Sequence, residues 1–244
     1  MKLALAMAVV LGGCGSSPSD TPSPDGGDPP SGDGATSGLP SSDPFDGNAL
    51  DPAWQAFNPG RGDVAVHDGK LTIAPHGNAL WFAGGSGPLL WKLVTGDVKI
   101  TAHVHARKTS DASAPPDRDI EVGGLMMRNP TSATENYVFL DVGYAEQRRL
   151  GVEHKSTRDG ISTFNETASG ADAQLRLCRT GATITALRRD SDAAAWQVEL
   201  TVDRPDLPAT LQAGPNASTG QASPDVTISW DEIQFEAVGA GCDR

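Results

Sequence analysis

The sequence predicts an all-β domain, a sandwich or barrel of many short strands, from residue 43 onward. Three observations predict it. Turn signals recur along the chain, among them His67-Asp68-Gly69, Thr95-Gly96-Asp97, Asn129-Pro130, Arg158-Asp159-Gly160 and Arg179-Thr180-Gly181. The segments between them alternate apolar and polar residues with period two, as a strand with one buried face does. No segment shows a convincing 3.6-residue period with caps.

The chain opens with Lys2, the apolar run Leu3–Leu11 and Gly12-Gly13-Cys14. This is the layout of an export signal: a charged start, a short apolar stretch and small residues at a cleavage site. As a helix the apolar run covers about 14 Å, against a hydrocarbon core of about 30 Å, so it does not span a membrane. Leu11-Gly12-Gly13-Cys14 resembles the bacterial lipobox. The resemblance implies a signal peptide over residues 1–13 and acylation of Cys14, which holds the chain to the cell envelope. More than one acyl chain makes such anchoring stable. Gly15 stands where an inner-membrane retention signal has Asp, so the resemblance implies the outer membrane if the host is Gram-negative. The alternative is an ordinary signal peptide with a chance cysteine.

Residues 14–42 form a linker. Past Cys14 it consists of Ser, Pro, Gly, Asp and Thr apart from Ala35 and Leu39. Such a composition buries too little apolar surface to offset ordering entropy, so a disordered stalk is expected.

Residues 43–244 form the domain. Residues 97–107 place Val98, Ile100, Ala102, Val104 and Ala106 on one face and Lys99, Thr101, His103, His105 and Arg107 on the other. Residues 195–202 set Trp196, Val198, Leu200 and Val202 opposite Gln197, Glu199 and Thr201. Further strands are expected at 70–74, 78–82, 89–94, 120–128, 136–142, 148–154, 161–167, 173–179, 182–189 and 226–238. In the last, Val226, Ile228 and Trp230 share one parity and Ile233, Phe235 and Ala237 the other, which demands a bulge at Asp231-Glu232. Trp54, Trp196 and Trp230 lie on apolar faces and are expected in the core.

With Cys14 lipidated, Cys178 and Cys242 remain. In an exported protein they are expected to pair, closing a loop worth roughly 3–4 kcal/mol in the chain-entropy model. The balance of 31 acidic to 19 basic residues, a net charge of −12, excludes a nucleic-acid binder, which needs a basic face. No window reaches the roughly 18 apolar residues of a membrane span.

Several segments together resemble the concanavalin A-like lectin/glucanase superfamily, in particular its non-catalytic jelly-roll domains. They are Phe45 to Trp54, Asp68 to Ile73, Val94 to Ile100, Gly123 to Arg128, Asn136-Tyr137-Val138, Leu175 to Gly181 and Ile228 to Ile233, in the family's order. The resemblance implies two stacked antiparallel sheets with ligands on a concave face. It also implies a structural Ca²⁺ near the crossing of the first and last strands, with Asp46 and Asp231 as candidate ligands. For a glycan the candidates on the ligand face are Trp81, Trp91, Arg128, Tyr137, Asp141, Tyr144 and His154; each has an ordinary core or surface role as the alternative.

Enzymatic chemistry is not expected. The superfamily's laminarinase-like hydrolases carry Glu-x-Asp-x-x-Glu on one strand, which this chain lacks. The nearest approach, Asp119-Ile120-Glu121, puts two carboxylates about 7 Å apart on one strand face, but position 124 is Gly. There is no nucleophile elbow, Cys/His pair or phosphate loop. His103 and His105 share a strand face as in some zinc sites, without a third ligand visible. His67 and His76 are isolated, and Arg61-Gly62-Asp63 reads as chance. The favoured expectation is a surface-anchored, non-catalytic module that binds a carbohydrate. A structural or protein-interaction module of the envelope is the alternative, and a glycoside hydrolase the third.

Overall fold

A computed structural model describes residues 38–82 and 85–243. Residues 1–13, expected to be a signal peptide, Cys14 and residues 15–37 of the expected linker lie outside the described residues. The strands are β1 (Gln55–Phe57), β2 (Gly62–His67), β3 (Lys70–Pro75), β4 (Leu89–Thr95), β5 (Val98–Arg107), β6 (Glu121–Arg128) and β7 (Tyr137–Tyr144). They continue as β8 (Leu150–Arg158), β9 (Ile161–Ala168), β10 (Asp172–Thr180), β11 (Thr183–Arg189), β12 (Gln197–Asp203), β13 (Thr210–Thr219) and β14 (Thr227–Ala237). They pair antiparallel into two seven-stranded sheets, ordered β1-β4-β13-β6-β7-β8-β9 and β12-β11-β10-β5-β14-β3-β2.

Alternation builds the core between the sheets. Val98, Ile100, Ala102, Val104 and Ala106 of β5 are buried, and pack in one cluster with Val138, Leu140 and Val142 of β7. A fully buried aliphatic side chain of this kind contributes roughly 1.5–3 kcal/mol. Trp230 is fully buried, and its indole N–H donates to the Gly124 carbonyl at 3.1 Å, tying β14 to the opposite sheet.

Two bulges set which side chains face inward. In β14 the register with β5 shifts between Trp230 and Ile233, at the expected place, so both residues reach the core. A second shift lies between β11 and β12 at Ala186/Leu187 and was not anticipated. Leu200 and Val202 therefore pack on the core while Val198 is 60% exposed. Trp196 is not in the core: it lies outside the sandwich, stacked under the guanidinium groups of Arg176 (4.1 Å) and Arg189 (4.7 Å).

Other local expectations also change. Residues 78–82 are a loop, whereas 210–219 form a central strand. Gly214-Pro215-Asn216 reads locally as a turn. Here Pro215 pairs with Leu125, and the β13–β4 register skips 214–215, the stretch where proline offers no N–H. Cys178 of β10 is disulfide-bonded to Cys242, with Cα atoms 5.7 Å apart, which staples the C-terminal tail to the second sheet. The fold also takes in the end of the linker: Leu39 packs on the core, Lys92 Nζ donates to the Ser41 carbonyl at 2.9 Å, and the Phe235 N–H donates to Ser42 Oγ at 3.0 Å.

Candidate functional site

The first sheet is covered on both sides in its middle. Every residue of β6, and all of β13 after Thr210, is buried. The outer cover is the chain between β3 and β4. Arg61 donates to the carbonyls of Gly77 (3.2 Å), Asn78 (2.7 Å) and Ser86 (3.1 Å), so the Arg-Gly-Asp tripeptide begins with a structural residue. The Tyr137 hydroxyl donates to the Trp81 carbonyl at 2.8 Å, and burial pushes that phenol up to about 12. Trp81, Leu89, Met126, Tyr137 and Phe139 thus make a second apolar cluster on the outer face, with Phe57 and Trp91 against it.

Beside this cluster lies a pocket of about 330 Å³, lined in part by Phe82, Phe139, Glu146, Arg148, Glu153 and Lys155. That volume is at the lower end of the range for small-ligand sites. Lys155 stands at its centre, with Nζ 3.1 Å from Glu146 and 3.2 Å from Glu153. The same ammonium lies 5.2–5.3 Å from the ring centres of Phe82, Phe139 and Phe164. Phe82 is 50% exposed and Phe164 41%, so two aromatic faces remain open to a ligand.

Three acidic residues run in register across this face, and Glu153 among them lines the pocket: Asp141 of β7 pairs with Glu153 of β8, and Glu153 with Glu166 of β9. All three are buried. One oxygen of Asp141 accepts from Asn216 Nδ2 at 3.0 Å, and one of Glu166 from the Gln147 N–H at 2.9 Å. Among the described residues, Asp141 Oδ1, Glu153 Oε2, Glu166 Oε2, Asn216 Oδ1 and the indole nitrogens of Trp81 and Trp91 are buried without a hydrogen-bond partner, although Arg149 Nε lies 3.9 Å from Glu166 Oε2. Burial raises the Asp141 carboxyl well above its usual range, and the neighbouring Glu153 adds to it. Burial also pushes Glu153 up to about 7, with Lys155 opposing. For Lys155, burial works against the charge, but Glu153 and Glu146 outweigh it and hold its pKa above the ordinary value. Glu153, which lines the pocket and is lifted to about 7, can therefore donate or accept a hydrogen bond there around neutral pH.

Of the residues expected on the ligand face, Arg128, Tyr137 and Asp141 share the outer face with Trp81 and Trp91. Arg128 donates to Gln212 Oε1 at 2.9 Å and stacks 3.9 Å from Phe57, so it supports the face from below. Tyr144 and His154 are not on it. Their parity is that of Val142 and Val152, which face the other sheet, and burial lowers the His154 pKa. Asp119 and Glu121 do not share a strand face, because Ile120 between them is left-handed (φ 56°). Asp119 pairs with Arg148 at 2.9 Å at the pocket rim, while Glu121 is buried and accepts the Asp225 N–H at 2.8 Å. Glu146, Glu153, Lys155 and Glu166 were missed. The alternation of Gly151, Glu153, Lys155 and Thr157 with Val152, His154 and Ser156 was a signal for a two-sided strand, but only pairing brings the acids together.

The two candidate calcium ligands have different surroundings. Asp46 is exposed, and the Asp231 carboxylate instead meets Lys70, His103 and His105. Two nitrogen donors and a lysine do not fit a hard cation that takes six to eight oxygens.

No known family profile matches the chain, and no curated protein does. Solved structures do. A functionally unknown protein from Saccharomyces cerevisiae matches with a TM-score of 0.60 at 16% identity, over 76% of this chain and 96% of that one. A xylan β-1,4-xylosidase from Bacillus halodurans gives 0.64 at 14% identity, over 85% of this chain but only 41% of the enzyme. A carbohydrate-binding module from Bacillus subtilis gives 0.51 at 13%, over 76% of this chain and 96% of the module. At such identities the likeness establishes the fold alone: an all-β, two-sheet antiparallel jelly-roll sandwich.

Proposed function

We propose that this protein is a carbohydrate-binding module, and that a saccharide sits in the pocket on the outer face of the first sheet. The observation that carries this reading is the pocket itself: the half-exposed ring of Phe82 lines it together with Glu146, Glu153 and Lys155, and the exposed ring of Phe164 meets the same Lys155 ammonium. Sugar rings offer apolar faces to aromatics and hydroxyls to carboxyls, and this pocket supplies both. The fold shared with a carbohydrate-binding module supports the reading. Affinity electrophoresis against a panel of soluble polysaccharides tests it. Retardation by at least one polysaccharide, lost in Phe82→Ala, is expected. Migration unchanged by every polysaccharide overturns it.

Export and tethering belong to the same proposal. The signal-like residues 1–13 and Cys14 would hold the domain at the cell envelope on its linker, and the Cys178–Cys242 disulfide accords with an oxidising compartment. Full-length protein should partition into detergent, and Cys14→Ala should not.

A glycosidase is the second reading, favoured by one observation: Asp141 and Glu153 are adjacent acids with raised pKa values, as acid catalysis requires. Release of reducing sugar, abolished in Glu153→Gln, would establish it. Binding without release leaves the module.

A further inference from the structure

On the other side of the sandwich, away from this pocket, His103, His105 and Asp231 each present one donor atom, and these atoms all lie within 4.8 Å of one another. The register brings Asp231 to the histidines: Ser229 pairs with His105 and Trp230 with Val104, so Asp231, the residue after inward-facing Trp230, comes outward opposite His103 at the start of the β14 bulge. His105 Nε2 lies 3.0 Å and His103 Nδ1 3.4 Å from the same oxygen, Asp231 Oδ2. Lys70 takes the other oxygen, Oδ1. The second nitrogen of His105, Nδ1, is 2.7 Å from Asp172 Oδ1, and Arg107 fixes Asp172 in turn at 2.7 Å.

The side chains converge on one point. His105 Nε2 and His103 Nδ1 both face Asp231 Oδ2, so a single cation seated among the three atoms would meet two imidazole nitrogens and one carboxylate oxygen. When the proton of His105 is shared between Nδ1 and Asp172, Nε2 can serve as the ligand atom. With zinc–ligand bonds of about 2.0–2.1 Å, the edge of a tetrahedron is about 3.3 Å, close to both separations. Asp172 then occupies the place of the carboxylate that orients a metal-bound histidine. His103 and Asp231 border one hollow of about 280 Å³, and His105 another of about 390 Å³, so a fourth position is open to water or a ligand.

We propose that His103 Nδ1, His105 Nε2 and Asp231 Oδ2 bind one divalent metal ion of the zinc class, with Asp172 as the positioning residue. Imidazole ligands select this class over calcium and magnesium.

The test is calorimetric titration of the full chain, freed of metal with a chelator, using zinc ions alone. Cobalt(II) follows as a spectroscopic probe. One ion per chain is expected, with visible absorption of low-coordinate cobalt. Binding should fall at least tenfold in His103→Ala and in Asp231→Asn, and by about 10–100-fold in Asp172→Asn, where all three ligands remain. His76→Ala, which disturbs the exposed His76–Asp63 pair and the contact of His76 Nδ1 with the Gly60 carbonyl, should bind as wild type. A zinc-dependent rise in Tm, present in wild type and absent in Asp231→Asn, reads the same site without relying on an alanine variant's fold. No heat and no Tm shift in wild type overturns the proposal. So does zinc binding unchanged in the His103→Ala, His105→Ala double variant.

Discussion

Glu153 should make this protein less stable as pH rises through neutrality, and Glu153→Gln should make that decline shallower. Its carboxyl is buried beneath the pocket and lifted from an ordinary 4.5 to about 7. Below about pH 4.5 the group is protonated in both folded and unfolded chains and contributes nothing. Between about pH 4.5 and 7 the unfolded chain gives up the proton while the folded one keeps it, so ionisation favours unfolding. At about 1.4 kcal/mol per pH unit, the full loss is about 3 kcal/mol, reached just above pH 7. Asp141, raised in the same direction, extends the decline to higher pH. Glutamine cannot ionise, and Lys155 keeps Glu146 as its partner. Urea unfolding followed by tryptophan fluorescence, at steps from about pH 5 to 8, measures the effect. Wild type should lose stability more steeply across the series than Glu153→Gln, whose remaining decline is that of Asp141. Parallel curves would refute the reasoning, because they would mean that Glu153 ionises in the folded protein as readily as in water.

Four further outcomes follow from the structure. Joint replacement of Cys178 and Cys242 by Ser opens a loop with a sequence separation of 64, and should cost about 4 kcal/mol in reductant-free unfolding; an unchanged midpoint contradicts the staple. Arg204, 1% exposed, donates to the carbonyls of Tyr137 (3.1 Å) and Thr157 (3.0 Å) and pairs with Asp206. Arg204→Ala should lose about 3–5 kcal/mol, since it strands those groups; a loss below about 1 kcal/mol rules the network out as a support. A Cβ on Gly124 would stand 2.0 Å from the Leu140 carbonyl oxygen, so Gly124→Ala should express poorly or melt far below wild type. Phe164→Ala, on an edge strand with an exposed ring, should leave Tm nearly unchanged yet weaken polysaccharide retardation; equal retardation places the ligand elsewhere.

The composition and period-two patterning of the sequence determine the all-β class, most strands, the β14 bulge and the pairing partner of Cys178. These are local or enumerable readings: alternation marks a strand, a parity break demands an extra residue, and once the lipobox resemblance sets Cys14 aside the other two of the three cysteines allow one bridge. Pairing is not local. Gly214-Pro215-Asn216 is a turn by its own residues and a strand only because β4 and β6 flank it. Trp196 reads as core until a bulge turns that half of β12 outward. Parity alone separates Tyr137 and Asp141 from Tyr144, so part of the pocket face was legible in the chain. Which of a strand's two faces meets the other sheet was not. The row Asp141–Glu153–Glu166 joins three strands, and His103 meets Asp231 across 128 residues of sequence. Side-chain chemistry at such places depends on register between strands. Register follows from burying all the apolar faces at once, which only the tertiary structure decides.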